Sequence, residues 1–205
     1  TGVQTCALPI FLVLVDHVDG AVRKPTFELL AIAKKLGTPA AVFIGGSGEA
    51  ADAAAAVKKY GAEKVYVVDD AEIKGYLGAP KAEALAQLVE KTSPAAVLIV
   101  SSAEGKEVGA RLAVKTGSGL ITDAVDVAED GTATQSVFAG NYTLTGKVTK
   151  GTPIITVKPN SASPEEGEGA GTVEEVAVSI SDAAKTAQIV ASQPRQASGR
   201  PELTE

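Results

Sequence analysis

Three stretches of the chain carry residue types at spacings that could do chemistry. The first is Gly46-Ser47-Gly48-Glu49-Ala50-Ala51, a G-x-G-x-x-A pattern between an apolar run and an Ala-rich segment. Asp69 follows at near the ~20-residue spacing of a ribose-binding acid. Glycines at such a turn let main-chain N–H groups approach a pyrophosphate at a helix N-terminus. Two features oppose a nucleotide here. The turn belongs to the second strand-helix unit rather than the first, and Glu49 would repel a phosphate. A tight β–α turn is the plainer reading. The second stretch is Asp16-His17-Val18-Asp19, which holds the chain's one His. Such a cluster could bind a metal or shuttle a proton; the plainer reading is a polar loop. The third is Ser101-Ser102 with Gly105-Lys106, a helix start that could cradle an anion. Its spacing is not that of a P-loop, and a capped helix start explains it as well. Arg111 has Glu107 four residues before it, the spacing of a surface ion pair.

No Ser/His/Asp order, nucleophile elbow or paired metal carboxylates stand out. One His and one Cys exclude Cys/His zinc sites, a C-x-x-C redox pair and an intrachain disulfide. No catalytic and no metal-binding residue is expected. Gly46, Gly48 and Asp69, or Lys106 together with Ser101, are the weak positions with a nucleotide-binding alternative.

These residues must be positioned by alternating elements. Residues 11–15, 40–44, 64–68 and 95–100 are apolar runs that read as buried parallel strands. Between and after them, residues 25–37, 49–60, 81–91 and 105–115 read as helices, several ending at Gly. Four strand-helix units in series predict an α/β fold, a Rossmann-like parallel sheet flanked by helices. After Gly119 the pattern turns β-rich, over 120–127, 133–138, 142–148, 154–157 and 172–180. Only turns separate most of these runs, so antiparallel hairpins or edge additions are expected. Residues 161–171 read as a solvated loop, and Ala183, Ala187, Val190 and Ala191 recur at helical spacing. Residues 1–10 read as a non-native leader in which Cys6 has no role. Residues 11–192 read as the α/β domain and residues 193–205 as a linker.

The chain has 205 residues, 45% hydrophobic, and a net charge of −6. An acidic chain has no general footprint for nucleic acid or an anionic membrane surface. No apolar run reaches the ~18 residues of a membrane span. Cytosol or an organelle matrix is the expected compartment.

Longer motifs carry more information. Gly105-Lys106-Glu107-Val108-Gly109-Ala110-Arg111-Leu112-Ala113 precedes Gly119-Leu120-Ile121-Thr122-Asp123. Val137-Phe138-Ala139-Gly140-Asn141 precedes Ile154-Ile155-Thr156-Val157-Lys158-Pro159. In this order, with the opening Val15-Asp16-His17-Val18-Asp19-Gly20, the chain resembles the N-terminal domain of electron transfer flavoprotein alpha subunits. Its closing Ser198-Gly199-Arg200-Pro201-Glu202-Leu203-Thr204-Glu205 resembles the segment before that family's FAD domain.

The resemblance implies an adenine nucleotide alpha hydrolase-like fold and a heterodimer with a beta subunit that in many members binds AMP. It implies one FAD, held mainly by residues beyond Glu205. It also implies electron transport from acyl-CoA and related dehydrogenases of fatty acid beta-oxidation to a quinone reductase. This part of the chain would serve as scaffold and heterodimer contact, an electron-carrier subunit rather than an enzyme. The alternative is an adenine-nucleotide-binding module built on the Gly46 turn.

Overall fold

The computed structural model describes residues 8–46 and 48–193. Eleven strands and four α-helices form in the order β1 (Ile10–Leu14), β2 (His17–Val18), β3 (Ala21–Val22), α1 (Lys24–Leu36), β4 (Thr38–Gly45), α2 (Ala50–Lys59), β5 (Lys64–Asp69), α3 (Gly78–Thr92), β6 (Ala96–Val100), α4 (Ala103–Thr116), β7 (Leu120–Val127), β8 (Ala133–Val137), β9 (Tyr142–Gly146), β10 (Ile154–Val157) and β11 (Thr172–Glu175). Nine strands share one sheet in the order β11-β5-β4-β1-β6-β10-β7-β8-β9. Pairing is parallel from β11 through β7 and antiparallel between β7, β8 and β9.

Strand side chains alternate between faces, so each central strand feeds two cores. Phe11, Val13, Phe43, Val65 and Leu98 pack with Leu29, Leu30 and Val57 from α1 and α2. Leu12, Leu14, Val42, Ile44 and Ile99 pack with Leu85, Leu88 and Leu112 from α3 and α4. This is why the first-half strands read as unbroken apolar runs: both faces are covered. Each fully buried Leu contributes roughly 1.5–3 kcal/mol relative to exposure. The α/β, mostly parallel architecture read from the sequence is the one that forms.

The second half departs from expectation in three places. β10 was expected in a hairpin or at an edge. It lies instead in the middle of the sheet, parallel between β6 and β7. All four of its residues are buried, and only a central strand covers four consecutive side chains on both faces. The expected strand 172–180 stops at Glu175. Beyond it, the Ser179 N–H and C=O bond the Gln87 side chain at 3.0 and 2.8 Å, and the Ser181 N–H donates to Glu83 at 2.8 Å. Side chains of α3 thus take main-chain groups that a ladder would need. The helical spacing near the end yields only a 3-10 turn at Asp182–Lys185. Val190 is exposed. Residues 187–189 bond main chain to main chain with residues 75–77, which removes the donors and acceptors a helix would use internally. A hairpin of β2 and β3 also forms. Asp19 and Gly20 have φ of 47° and 81° at its turn, the left-handed pair that a two-residue loop requires. Of the expected leader, residues 1–7 lie outside the described residues, as do residues 194–205 of the expected linker.

Candidate functional site

The strand order reverses at β1. The chain moves from β1 to β4 and β5 on one side, then returns to place β6 and β10 on the other. In open parallel sheets, ligands bind at the carboxyl ends of strands where such a reversal opens a crevice. Asp16 and His17 leave β1 at this point, and Ser101 and Ser102 leave β6. The crevice is floored by Leu14, Ile44, Ile99 and Val108, and its volume is about 40 Å³. Small-molecule sites occupy roughly 300–1,000 Å³. Lys81 of α3 and Glu104 at the start of α4 form an ion pair on its rim.

His17 is fully engaged. Its ring stacks on Phe43 with centroids 4.5 Å apart. Nε2 lies 3.0 Å from the Ile44 carbonyl and Nδ1 lies 3.3 Å from the Gly20 nitrogen. A carbonyl only accepts and an amide N–H only donates, so Nε2 carries the proton and Nδ1 accepts. Neither nitrogen is left for a metal. Asp16 exchanges hydrogen bonds with Thr26 through its main chain, and Arg23 lies 3.6 Å from its carboxylate. Burial pushes the Asp16 carboxyl above its ordinary range, while the Arg23 guanidinium pulls the other way. Asp19 is exposed in the hairpin turn. Among the described residues, no group of three or more His, Cys, Asp or Glu side chains could hold a metal ion.

The G-x-G-x-x-A turn is brought near its acid, since Gly45 registers with Asp69 across β4 and β5. The Gly46 end of the turn is covered, whereas a Cβ on Gly48 would stand in open space. Lys74 pairs with Glu49, and its stem lies where a Cβ on Gly46 would stand, 2.9 Å from Cε. The neighbouring Asp70 is committed to capping the next turn through the Glu72 N–H at 2.9 Å. Ser47 lies outside the described residues. Lys74, which the sequence reading did not single out, is the residue that covers Gly46.

The Lys106 stretch starts α4. Ser102 caps α4 by accepting from the Gly105 N–H at 3.0 Å. Lys106 does not face an open anion site; its ammonium bonds Asp123 at 2.9 Å. The Ser101 hydroxyl donates to Asp123 at 2.6 Å and lies 2.9 Å from the Thr156 hydroxyl. Ser101 has one proton and uses it on Asp123, so Thr156 donates to Ser101. Thr156 in turn accepts from the Asp123 N–H at 3.1 Å. Burial raises the Asp123 carboxyl, but the Ser101 hydroxyl and the Lys106 ammonium outweigh it and hold the group below its ordinary range. Asp123 adopts φ 57°, in the left-handed region that Asp tolerates better than most residues. The cluster ties the ends of β6 and β10 and the middle of β7 to the start of α4. Asp123 and Thr156 were missed by the sequence reading; the one signal was two polar residues, Thr122 and Asp123, breaking an otherwise apolar strand start. The pair expected between Arg111 and Glu107 forms at 2.9 Å.

Glu28 was also missed. It is buried on α1 and accepts from the Asn160 N–H at 2.7 Å, with Lys24 3.8 Å from its other oxygen. It fixes the loop after β10.

Residues 11–181 match the electron transfer flavoprotein domain family. The chain is 42% identical over 195 residues to the electron transfer flavoprotein subunit alpha of Mycobacterium leprae, covering 95% of this chain and 61% of that protein. It is 44% identical over 176 residues to the same subunit of Mycobacterium tuberculosis, covering 86% and 55%. Subunit LctC of a lactate dehydrogenase (NAD(+),ferredoxin) from Acetobacterium woodii is 32% identical over 115 residues, covering 54% and 27%. The chain thus spans about three fifths of the length of the first of these relatives. By this match, and by the motifs now seen to build the α4 start, β7 and β10, the chain belongs to the electron transfer flavoprotein family as an alpha-subunit N-terminal domain.

Proposed function

We propose that this chain is the scaffold part of an electron carrier. In this reading it pairs with a beta subunit that holds AMP. The assembly carries electrons through FAD from acyl-CoA and related dehydrogenases to a quinone reductase, in the cytoplasm of a bacterium or an organelle matrix. The observation that carries the reading is that residues 11–181 match the family, while two of the nucleotide-candidate positions, Lys106 and Gly46, are engaged within the chain. Lys106 is bonded to Asp123, and Gly46 is covered by Lys74.

The crevice at the strand reversal is too small for FAD. Its volume is about 40 Å³, and no described cation stands open over a phosphate-sized cradle there. We therefore assign the flavin to residues outside the described part of the chain. The part described here supplies position: a rigid two-faced sheet that presents its loops and edges to the rest of the assembly. A carrier of this type needs no acid, base or nucleophile, because the cofactor supplies the chemistry and the protein holds it. Residues 11–192 form the domain in this reading, and residues 193–205 link it onward.

The test combines an absorption spectrum with titrations. The chain alone is expected to show only protein absorption, to give no calorimetric heat with AMP, ATP or NAD, and to bind a matched beta subunit. Flavin bands on the chain alone would overturn the cofactor placement. Saturable heat with an adenine nucleotide would favour the nucleotide-binding module on Gly46, Gly48 and Asp69. Indifference to the beta subunit would overturn the carrier reading.

A further inference from the structure

After β10, residues 161–190 run around the β5 edge of the sheet and grip the helices on both of its faces. On the α2 side, the Gly167 and Gly169 N–H groups donate to the Lys59 and Lys58 carbonyls at 2.9 and 3.0 Å. At the edge, β11 lies parallel along β5. On the α3 side, Gln87 exchanges two hydrogen bonds with the Ser179 main chain, at 2.8 and 3.0 Å. Beyond it the Lys185 ammonium bonds Glu72 at 2.6 Å, and the Ile189 N–H donates to the Gly75 carbonyl at 2.8 Å. The seat is close-fitting: a Cβ on Gly169 would stand 2.3 Å from the Ala62 carbonyl oxygen.

The grip is nevertheless shallow. Of residues 161–190, only Gly169, Val176 and Ala184 are buried, whereas every residue of β10 is. Val178 and Ile180 lean on the α3-side core while staying partly exposed. The ion pairs of Lys35 with Glu165 and Lys58 with Glu168 sit at the surface, where such pairs contribute little. Segments held by few buried apolar contacts and by exposed hydrogen bonds open at a fraction of the global unfolding free energy. The topology permits this. β11 has one neighbour in the sheet, β5, so its departure breaks no other ladder.

We propose that residues 161–190 are a releasable belt, which opens as one unit while the sheet from β5 to β9 stays folded. Opening bares the β5 edge, the carbonyls at the end of α2 and the flank of α3. It also frees a segment that reaches roughly 100 Å when extended, and whatever follows residue 190 gains that reach. The belt moves as a unit because it is a single path with an anchor on each face. Release at α3 removes the tension that keeps β11 in register, and release of β11 leaves Gly167 and Gly169 without the strand that presses them onto α2. The device belongs to the fold and holds whether or not the chain pairs with a beta subunit.

The experiment is native-state hydrogen exchange of the full chain in subdenaturing guanidinium. It is read at four amides that donate from the belt, Gly167, Gly169, Val176 and Ile189, and at amides of β4 and β6. The four are expected to share one opening and to exchange at least ~100-fold faster than β4 and β6. Two variants probe the unit from its opposite ends, with folding checked by circular dichroism. Gln87→Ala, which removes both bonds to Ser179, should speed exchange by ~10-fold at Gly167 and Gly169 on the other face. Gly169→Ala, which drives a Cβ into the Ala62 carbonyl, should speed Ile189 by at least ~10-fold. Neither should change the β8–β9 hairpin. Acceleration confined to the neighbourhood of each substitution overturns the proposal, because the belt then opens piecemeal. Belt amides that exchange only at the rate of β4 and β6 overturn it as well, because no separate opening then exists.

Discussion

Replacing Gly105 by Ala should destabilise the protein, whereas the same change at Gly109, one turn later in α4, should not. Intrinsic propensity makes the opposite forecast for Gly105, since Ala is favoured over Gly in a helix by about 1 kcal/mol. The structure decides the sign. A Cβ on Gly105 would stand 2.0 Å from the Val100 carbonyl oxygen, with Ile99 Cγ2 at 3.1 Å and Ser102 Oγ at 3.2 Å. The first of these is main chain at the end of a buried strand and has nowhere to rotate. The start of α4 would have to retreat by roughly 1 Å or more to reach ordinary separations. That movement draws Gly105 off the Ser102 cap. Overpacking costs roughly 1–3 kcal/mol and a lost cap about 1 kcal/mol. Against the propensity gain, a net loss of about 1–3 kcal/mol remains. For a chain of this length that lowers Tm by about 2–4 °C per kcal/mol. On Gly109 the new Cβ meets Thr156 Cγ2 at 3.4 Å, Leu120 Cδ1 at 3.5 Å and Ile99 Cδ1 at 3.6 Å. These are ordinary contacts, so propensity should prevail and Tm should hold or rise by a few degrees. Thermal unfolding by calorimetry checks both variants. If Gly105→Ala matches or exceeds Gly109→Ala in Tm, close approach at the α4 start is not what requires glycine there.

Further outcomes follow from the charged clusters. Lys64 and Lys91 hold the Glu174 carboxyl down to about 2; a lowered folded value stabilises above the ordinary carboxylate range and is lost as pH falls through it. Stability measured from neutral pH downward should therefore decline between about 4.5 and about 2. Glu174→Gln should remove part of that decline, with the difference shrinking in high salt. Asp123→Ala should cost about 2–3 kcal/mol in urea unfolding. It strands the Ser101 hydroxyl and the Lys106 ammonium and places a Cβ residue without polar compensation at a left-handed φ. Asp123→Asn, which tolerates that φ and keeps the Ser101 bond, should cost about 1 kcal/mol.

Much of the architecture was legible because the forces that set it are local or periodic. Phe11 to Val15 and Ala40 to Ile44 are unbroken apolar runs, and only a strand covered on both faces uses such a run fully. The α1 and α4 limits were marked by Pro25 and Gly37, and by Ser102 and Gly117. The β2–β3 hairpin was equally legible in Asp19-Gly20, a left-handed turn pair that the reading passed over in favour of chemistry at His17. What the sequence could not decide is who meets whom at a distance. Ile154 to Val157 shows that a strand is buried but not which two strands flank it. Its place between β6 and β7 is set by the space the first four units leave open. The candidate chemistry had the same limit. Lys106 looks free to hold an anion until β7 brings Asp123 to it, and Gly46 looks open until Lys74 lies across it. His17 could serve a metal until Ile44 and Gly20 occupy its nitrogens. Residue type and spacing fix what a side chain is able to do. Only tertiary structure decides whether its charge and hydrogen bonds are already spent on neighbours, because neighbours such as Ile44 for His17 and Asp123 for Lys106 lie 27 and 17 residues away in sequence and about 3 Å away in space.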